Sequence, residues 1–174
     1  VWLPAYLERG AGFSPWAVGW IVTLPSLVQI VFTPTISMIA GRLRQRGFSA
    51  RLSFGVVAVI CCAIAGIATV LLSRSSDPVM SIACTAIAFS VGSAIFVLAP
   101  VVTAEIVPGR QRGAMLAIGT AVTTLAGPTA PIVMGRIIDA SGTAVDGFRV
   151  GFLIAGMIVI ISAVTNARYG RSKA

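Results

Sequence analysis

A chain of 174 residues in which 57% are hydrophobic and only 10% charged is too apolar for a water-soluble domain, where about 25% charged residues is usual and a large bare apolar surface invites aggregation. The net charge of +8 does not point to nucleic acid, because the basic residues lie in short clusters between apolar runs with no interleaved aromatics. The sequence contains no histidine, so the commonest general base and metal ligand are both missing.

The chain opens on Val1-Trp2-Leu3-Pro4-Ala5-Tyr6-Leu7, which reads as the tail of an apolar segment begun upstream. The sequence is therefore expected to be a fragment. Five apolar runs follow, over about 15–40, 52–72, 79–103, 113–138 and 148–167. Each reaches the roughly 20 residues that a membrane-spanning helix needs, and each is far longer than the ~10 residues of a barrel strand. No charged side chain falls well inside a run. The connectors are short and turn-rich, so neighbouring helices should be antiparallel. Cys61, Cys62 and Cys84 all lie within the runs. Their number and spacing fit neither a disulfide framework nor a metal site, and they are expected to be small packing residues. Neither a cofactor nor a metal is expected, and no residue stands out as catalytic.

The runs differ in their polar content. At about 100° per residue, Ser26, Gln29, Thr33 and Ser37 of the first fall within roughly a quarter turn. Ser81, Thr85, Gly92, Ala99 and Thr103 form a similar stripe on the third, with Ser93 at its edge. On the fourth, Gly119, Thr123, Gly127, Pro131 and Gly135 recur every four residues, beside Thr120 and Thr124. Stripes of this kind pack helices closely or line a water-filled cavity. Gln29, Thr33, Thr120, Thr123 and Thr124, with Ser93 as a weaker candidate, are the expected solute-binding residues. The second and fifth runs are almost wholly aliphatic and are expected outside, against lipid. Pro25 and Pro34 on the first run, and Pro128 and Pro131 beside Gly127 on the fourth, each remove a backbone hydrogen bond and are candidate hinges.

Charge sets the orientation. Arg42, Arg44, Arg46, Arg51, Arg110, Arg112, Arg168, Arg171 and Lys173 fall on one side of the membrane, and Arg9, Arg74, Arg136 and Arg149 on the other. The richer side is expected to be cytoplasmic. Trp2, Tyr6, Trp16 and Trp20 suit an interfacial belt on the opposite face. Glu105 is the only acid among the nine cations. It is expected to pair with Arg46, Arg42 or Arg112 and to form, with Gly47, a gate at that rim.

The layout resembles the C-terminal six-helix half of the major facilitator superfamily, from the end of its helix 7 through helix 12. Trp2 to Leu7, Gly12-Phe13-Ser14, Gly19 and Leu24-Pro25 look like the helix 7–8 passage of its anion:cation symporters. Gly41 to Gly47 resembles the helix 8–9 loop, with Gly41 where relatives often carry an acid. Ala104 to Pro108 with Arg112-Gly113 is similar to the helix 10–11 signature. Gly127, Ala130-Pro131, Gly135 and Asp139 resemble helix 11, with Thr124 where many organic-anion carriers have Asn. The resemblance implies an all-α, polytopic transmembrane bundle of five full spans and a truncated one. It also implies a secondary active transporter of a small polar or organic-anion solute, proton-coupled and working by alternating access in the cytoplasmic membrane. Its partners would be lipid, solute and an N-terminal half carrying the missing charged residues. Drug efflux, or a non-transporting membrane interaction fragment, is the alternative.

Overall fold

A computed structural model describes residues 2–9, 12–49, 51–75 and 77–171. The elements are all helical: α1 (Trp2–Arg9), α2 (Pro15–Gln45), a π-turn (Arg51–Gly55) leading into α3 (Val56–Arg74), α4 (Pro78–Gly92), α5 (Ala94–Ile106), α6 (Gly109–Asp139) and α7 (Ala144–Arg171). Five spans are long and apolar enough to cross a bilayer, with α4 and α5 together making one of them.

Local chemistry sets the ends. Gly12 turns the chain with φ +72°, and the Phe13 amide donates to the Leu7 carbonyl at 3.0 Å. Ser14 then caps α2 by accepting from the Ala17 amide, with Pro15 in the first helical position. This is the usual remedy for the unpaired first-turn amides, and it places proline where its missing N–H does no harm. At the other end Gly47 takes φ +89° and its amide bonds the Arg44 carbonyl at 3.1 Å, a left-handed cap that favours glycine. Arg42 and Arg44 therefore ride on the last turn of α2, not in a loop after residue 40 as the apolar run implied. Asp77 caps α4 through the Met80 amide at 3.0 Å, with Pro78 behind it.

The third span tightens locally at Ser93, which keeps helical dihedrals and an amide bond to the Phe89 carbonyl at 3.1 Å, while its hydroxyl donates to the Ser90 carbonyl at 2.7 Å and the Phe96 amide bonds the Ser93 carbonyl.

The helices alternate in direction, so the described basic residues Arg42, Arg44, Arg46, Arg110, Arg112 and Arg168 share one end, hereafter the basic end. Two cores result. One, toward the opposite end, gathers Tyr6, Leu7, Val18, Ile21, Leu72, Cys84, Phe148 and Phe152. Tyr6 stands edge-on to both phenylalanines, with ring centroids 5.6 and 5.3 Å away. The other, nearer the basic end, gathers Ala40, Val57, Ala58, Cys61, Val91, Ala94 and Leu98.

The expectation that the aliphatic second and fifth spans stand apart against lipid needs correction. α3 packs most extensively on α7 and then on α4, and its span is the most enclosed of the five. Lipid is as apolar as leucine, so an aliphatic composition does not drive a helix outward. Small residues that allow close approach decide instead. Ala58, Cys61, Ala65, Ala68 and Leu72 recur at three- and four-residue steps and are buried. On the other side Val56, Ile60, Ile64, Ile67 and Leu71 form the exposed face that suits lipid. At the α3–α7 crossing, a Cβ built on Gly66 would lie 3.1 Å from the Gly156 carbonyl oxygen, and one on Gly156 would lie 3.0 Å from the Gly66 oxygen. The backbones touch there.

α6 is the opposite case. It meets α5 and α7, yet has no buried residue.

Candidate functional site

α2 carries the most distinctive polar face. Its off-stripe threonines look after themselves: Thr23 donates to the Gly19 carbonyl at 2.8 Å and Thr35 to the Val31 carbonyl at 2.7 Å. The stripe residues do not. Ser26, Gln29 and Ser37 make no side-chain hydrogen bond among the described residues, and the Thr33 hydroxyl is buried without a partner. An exposed glutamine amide at this depth cannot face hydrocarbon at acceptable cost, since it brings two donors and two acceptor lone pairs. This face must meet water, solute or another polar surface.

The stripe continues to the basic end. Counting at about 100° per residue, Arg44 falls in line with Gln29, Thr33 and Ser37, whereas Arg42 and Arg46 turn well away from it. Arg44 is also the residue that closes the column. Its Nη2 donates to Glu105 Oε2 of α5 at 3.2 Å, and its Nη1 donates to the Phe48 carbonyl at 3.3 Å. The expected partners of Glu105 were Arg46, Arg42 or Arg112. Two residues along a helix is about 200° of rotation, so only Arg44 presents itself to α5. Arg112 serves elsewhere, its Nε donating to the Val107 carbonyl at 3.1 Å across the α5–α6 turn. Arg42 and Arg46 are exposed, and neither makes a side-chain bond among the described residues. Gly47 acts as the cap of α2 described above.

The α6 candidates are already engaged. Thr120 donates to the Leu116 carbonyl at 2.9 Å, and Thr123 donates to the Gly119 and Thr120 carbonyls at 3.1 and 2.8 Å. Their protons are spent on the helix itself, so they can accept from a solute but not donate to it. Thr124 makes no side-chain hydrogen bond among the described residues. Pro128 and Pro131 have no N–H to offer the carbonyls of Thr124 and Gly127, so further acceptors lie on this stretch. α6 runs as a helix through both prolines, and α2 through Pro25 and Pro34.

The stripe of α4 is packing rather than cavity wall. Ser81 and Thr85 are buried inside the bundle, the Thr85 hydroxyl without a partner, and Ser93 is bonded within its own turn. The residue that pattern reading missed is Ser90. It lies half a turn from Ser81 on α4, is 1% exposed, and donates to the Pro25 carbonyl of α2 at 2.9 Å. This bond ties the proline of α2 to the turn before the α4–α5 junction.

The sequence model of the Major Facilitator Superfamily matches residues 1–172. The chain belongs to the major facilitator superfamily. No curated protein matches it. Membership in the major facilitator superfamily makes it a multi-pass membrane protein of a family that moves small-molecule solutes.

Proposed function

We propose that this chain is the C-terminal half-bundle of a secondary active transporter for a small polar or organic-anion solute, proton-coupled and working by alternating access in the cytoplasmic membrane. Its basic end and C-terminus lie in the cytoplasm. The column Ser26–Gln29–Thr33–Ser37 supplies neutral hydrogen-bonding groups to the solute, with Thr124 facing it from α6. Arg44–Glu105 holds the cytoplasmic mouth shut in one of the two conformers. The charged groups that select an anion and carry the proton come from the other half of the transporter. One observation carries this reading: Ser26 and Gln29 stand exposed on α2 with no side-chain bond among the described residues, while Thr23 and Thr35 on the same helix spend their hydroxyl protons on backbone carbonyls.

The test is a cysteine scan in the full-length protein after Cys61, Cys62 and Cys84 are replaced by alanine. Cysteines at positions 26 and 29 should react with a water-soluble, membrane-impermeant thiol reagent, and a cysteine at 35 should not. Protection of position 29 by a transported solute identifies the binding wall. Silence at 26 and 29 with the reagent supplied from either side overturns the cavity assignment.

A further inference from the structure

Among the described residues the basic end holds eight cations and one acid, and the other end four cations and four acids. The single acid, Glu105, is taken by Arg44. Arg42 and Arg46 are left exposed and without a partner among the described residues. A groove of about 270 Å³ runs between α2 and α3, walled by Phe32, Ile36 and Ile39 on one side and Ile60 and Ile64 on the other, with Cys61 at its floor. Ile60 and Ile64 belong to the exposed aliphatic face of α3, so the groove opens on the lipid side. From Phe32 to Ile39 it extends about 10 Å along α2, and its end lies one turn below Arg42. Measured round α2 from the centre of the three groove residues, Arg46 is about 45° away and Arg42 about 85°. Arg44, turned to Glu105, is about 115° away.

A wholly apolar slot, with the exposed guanidiniums of Arg42 and Arg46 one to two helical turns beyond its end, has the polarity profile of one phospholipid. We propose that this groove is a built site for an anionic phospholipid, its acyl chain lying between α2 and α3 and its headgroup phosphate held by Arg42 and Arg46. Guanidinium is the side chain best matched to a phosphate. The mouth lies at the membrane surface, where anionic headgroups concentrate around juxtamembrane basic residues. The site is separate from the solute column, which occupies the neighbouring face of α2.

The experiment uses the full-length protein in mild detergent, titrated with dioleoyl phosphatidylglycerol or dioleoyl phosphatidylcholine, with retained lipid counted by native mass spectrometry. One phosphatidylglycerol should be retained where phosphatidylcholine with the same chains is lost. An arginine beside an anionic lipid surface corresponds to about fivefold in affinity, so Arg42→Gln with Arg46→Gln should weaken retention roughly thirtyfold. Ile60→Trp fills the groove from an exposed position and should also weaken retention, without lowering the melting temperature of the lipid-free protein. Arg110→Gln, at the same end but away from the groove, should change nothing. Equal loss with Arg110→Gln would mean a diffuse basic surface and overturn the site. Undiminished retention in the Arg42/Arg46 double variant overturns the headgroup contact. Equal protection by inorganic phosphate or by a dihexanoyl lipid overturns the part assigned to the groove.

Discussion

The backbone contact between α3 and α7 gives the sharpest quantitative prediction. In Gly66→Ala the new methyl group would lie 3.1 Å from the Gly156 carbonyl oxygen and 3.2 Å from the Ile160 amide nitrogen. Ordinary contact between heavy atoms needs roughly 3.5–4.0 Å. Ile160 Cγ1, at 2.7 Å, can rotate away, but the two backbone atoms cannot, so the helices must part by about half an ångström. Overpacking of this kind costs about 1–3 kcal/mol. For a chain of this length 1 kcal/mol corresponds to roughly 2–4 °C, so a mid-range cost of about 2 kcal/mol lowers the melting temperature by about 4–8 °C. The natural assay is thermal unfolding in detergent with a thiol-reactive fluorogenic maleimide, because Cys61 and Cys84 are 3% and 4% exposed and react only when the bundle opens. Gly156→Ala should behave alike. The double variant should fall short of the sum, since both methyl groups press the same pair of backbones apart. Ile67→Ala, next to Gly66 on the lipid-facing side and 52% exposed, should stay within about 0.5 kcal/mol of the parent. If Gly66→Ala melts within about 1 °C of the parent, the seam is not close-packed and α3–α7 does not organise this bundle.

Three further outcomes follow from features described above. Glu105→Gln and Arg44→Gln should each change transport rate more than solute affinity. The pair is more than a third exposed and worth at most about 1 kcal/mol, so the effect is several-fold and shrinks at high salt; altered affinity at unchanged rate would refute the gate. Ser90→Ala removes a buried donor from the Pro25 carbonyl and should destabilise by about 1–2 kcal/mol in the same melting assay, whereas Ser93→Ala, which loses a bond within one turn, should cost less. Gly47→Ala puts a side chain where φ is +89° and should cost about 1 kcal/mol, with far-ultraviolet circular dichroism unchanged; a neutral result would mean that α2 ends without a left-handed cap.

The spans were legible because hydropathy and length are enough to mark a helix in lipid. Their ends were not: the apolar run of the first stops near residue 40, while the helix goes on to Gln45, since arginines are good helix formers once they reach the interface. The polar stripe of α2 was visible from periodicity. Which stripe packs and which stays open was not, because that depends on neighbours: Ser81 looks like Ser26 in sequence, yet Ser81 lies inside the bundle and Ser26 is exposed. Arg44 was passed over among three arginines spaced two apart, since their common composition hides their opposite directions. Ser90 was missed because it stands on the far side of α4 from the stripe, and that far side is also covered. The aliphatic spans misled because a rule learned from water, that apolar residues choose the environment, does not hold where the solvent is itself oil.

The threonines of α6 have one more implication. Thr120, Thr123 and Thr129 each donate to a carbonyl of their own helix, so this segment could rotate or slide without undoing those bonds. α2 and α4 are riveted to each other through Ser90. A machine assembled this way has its bearing surface and its fixed frame on different helices of a single bundle.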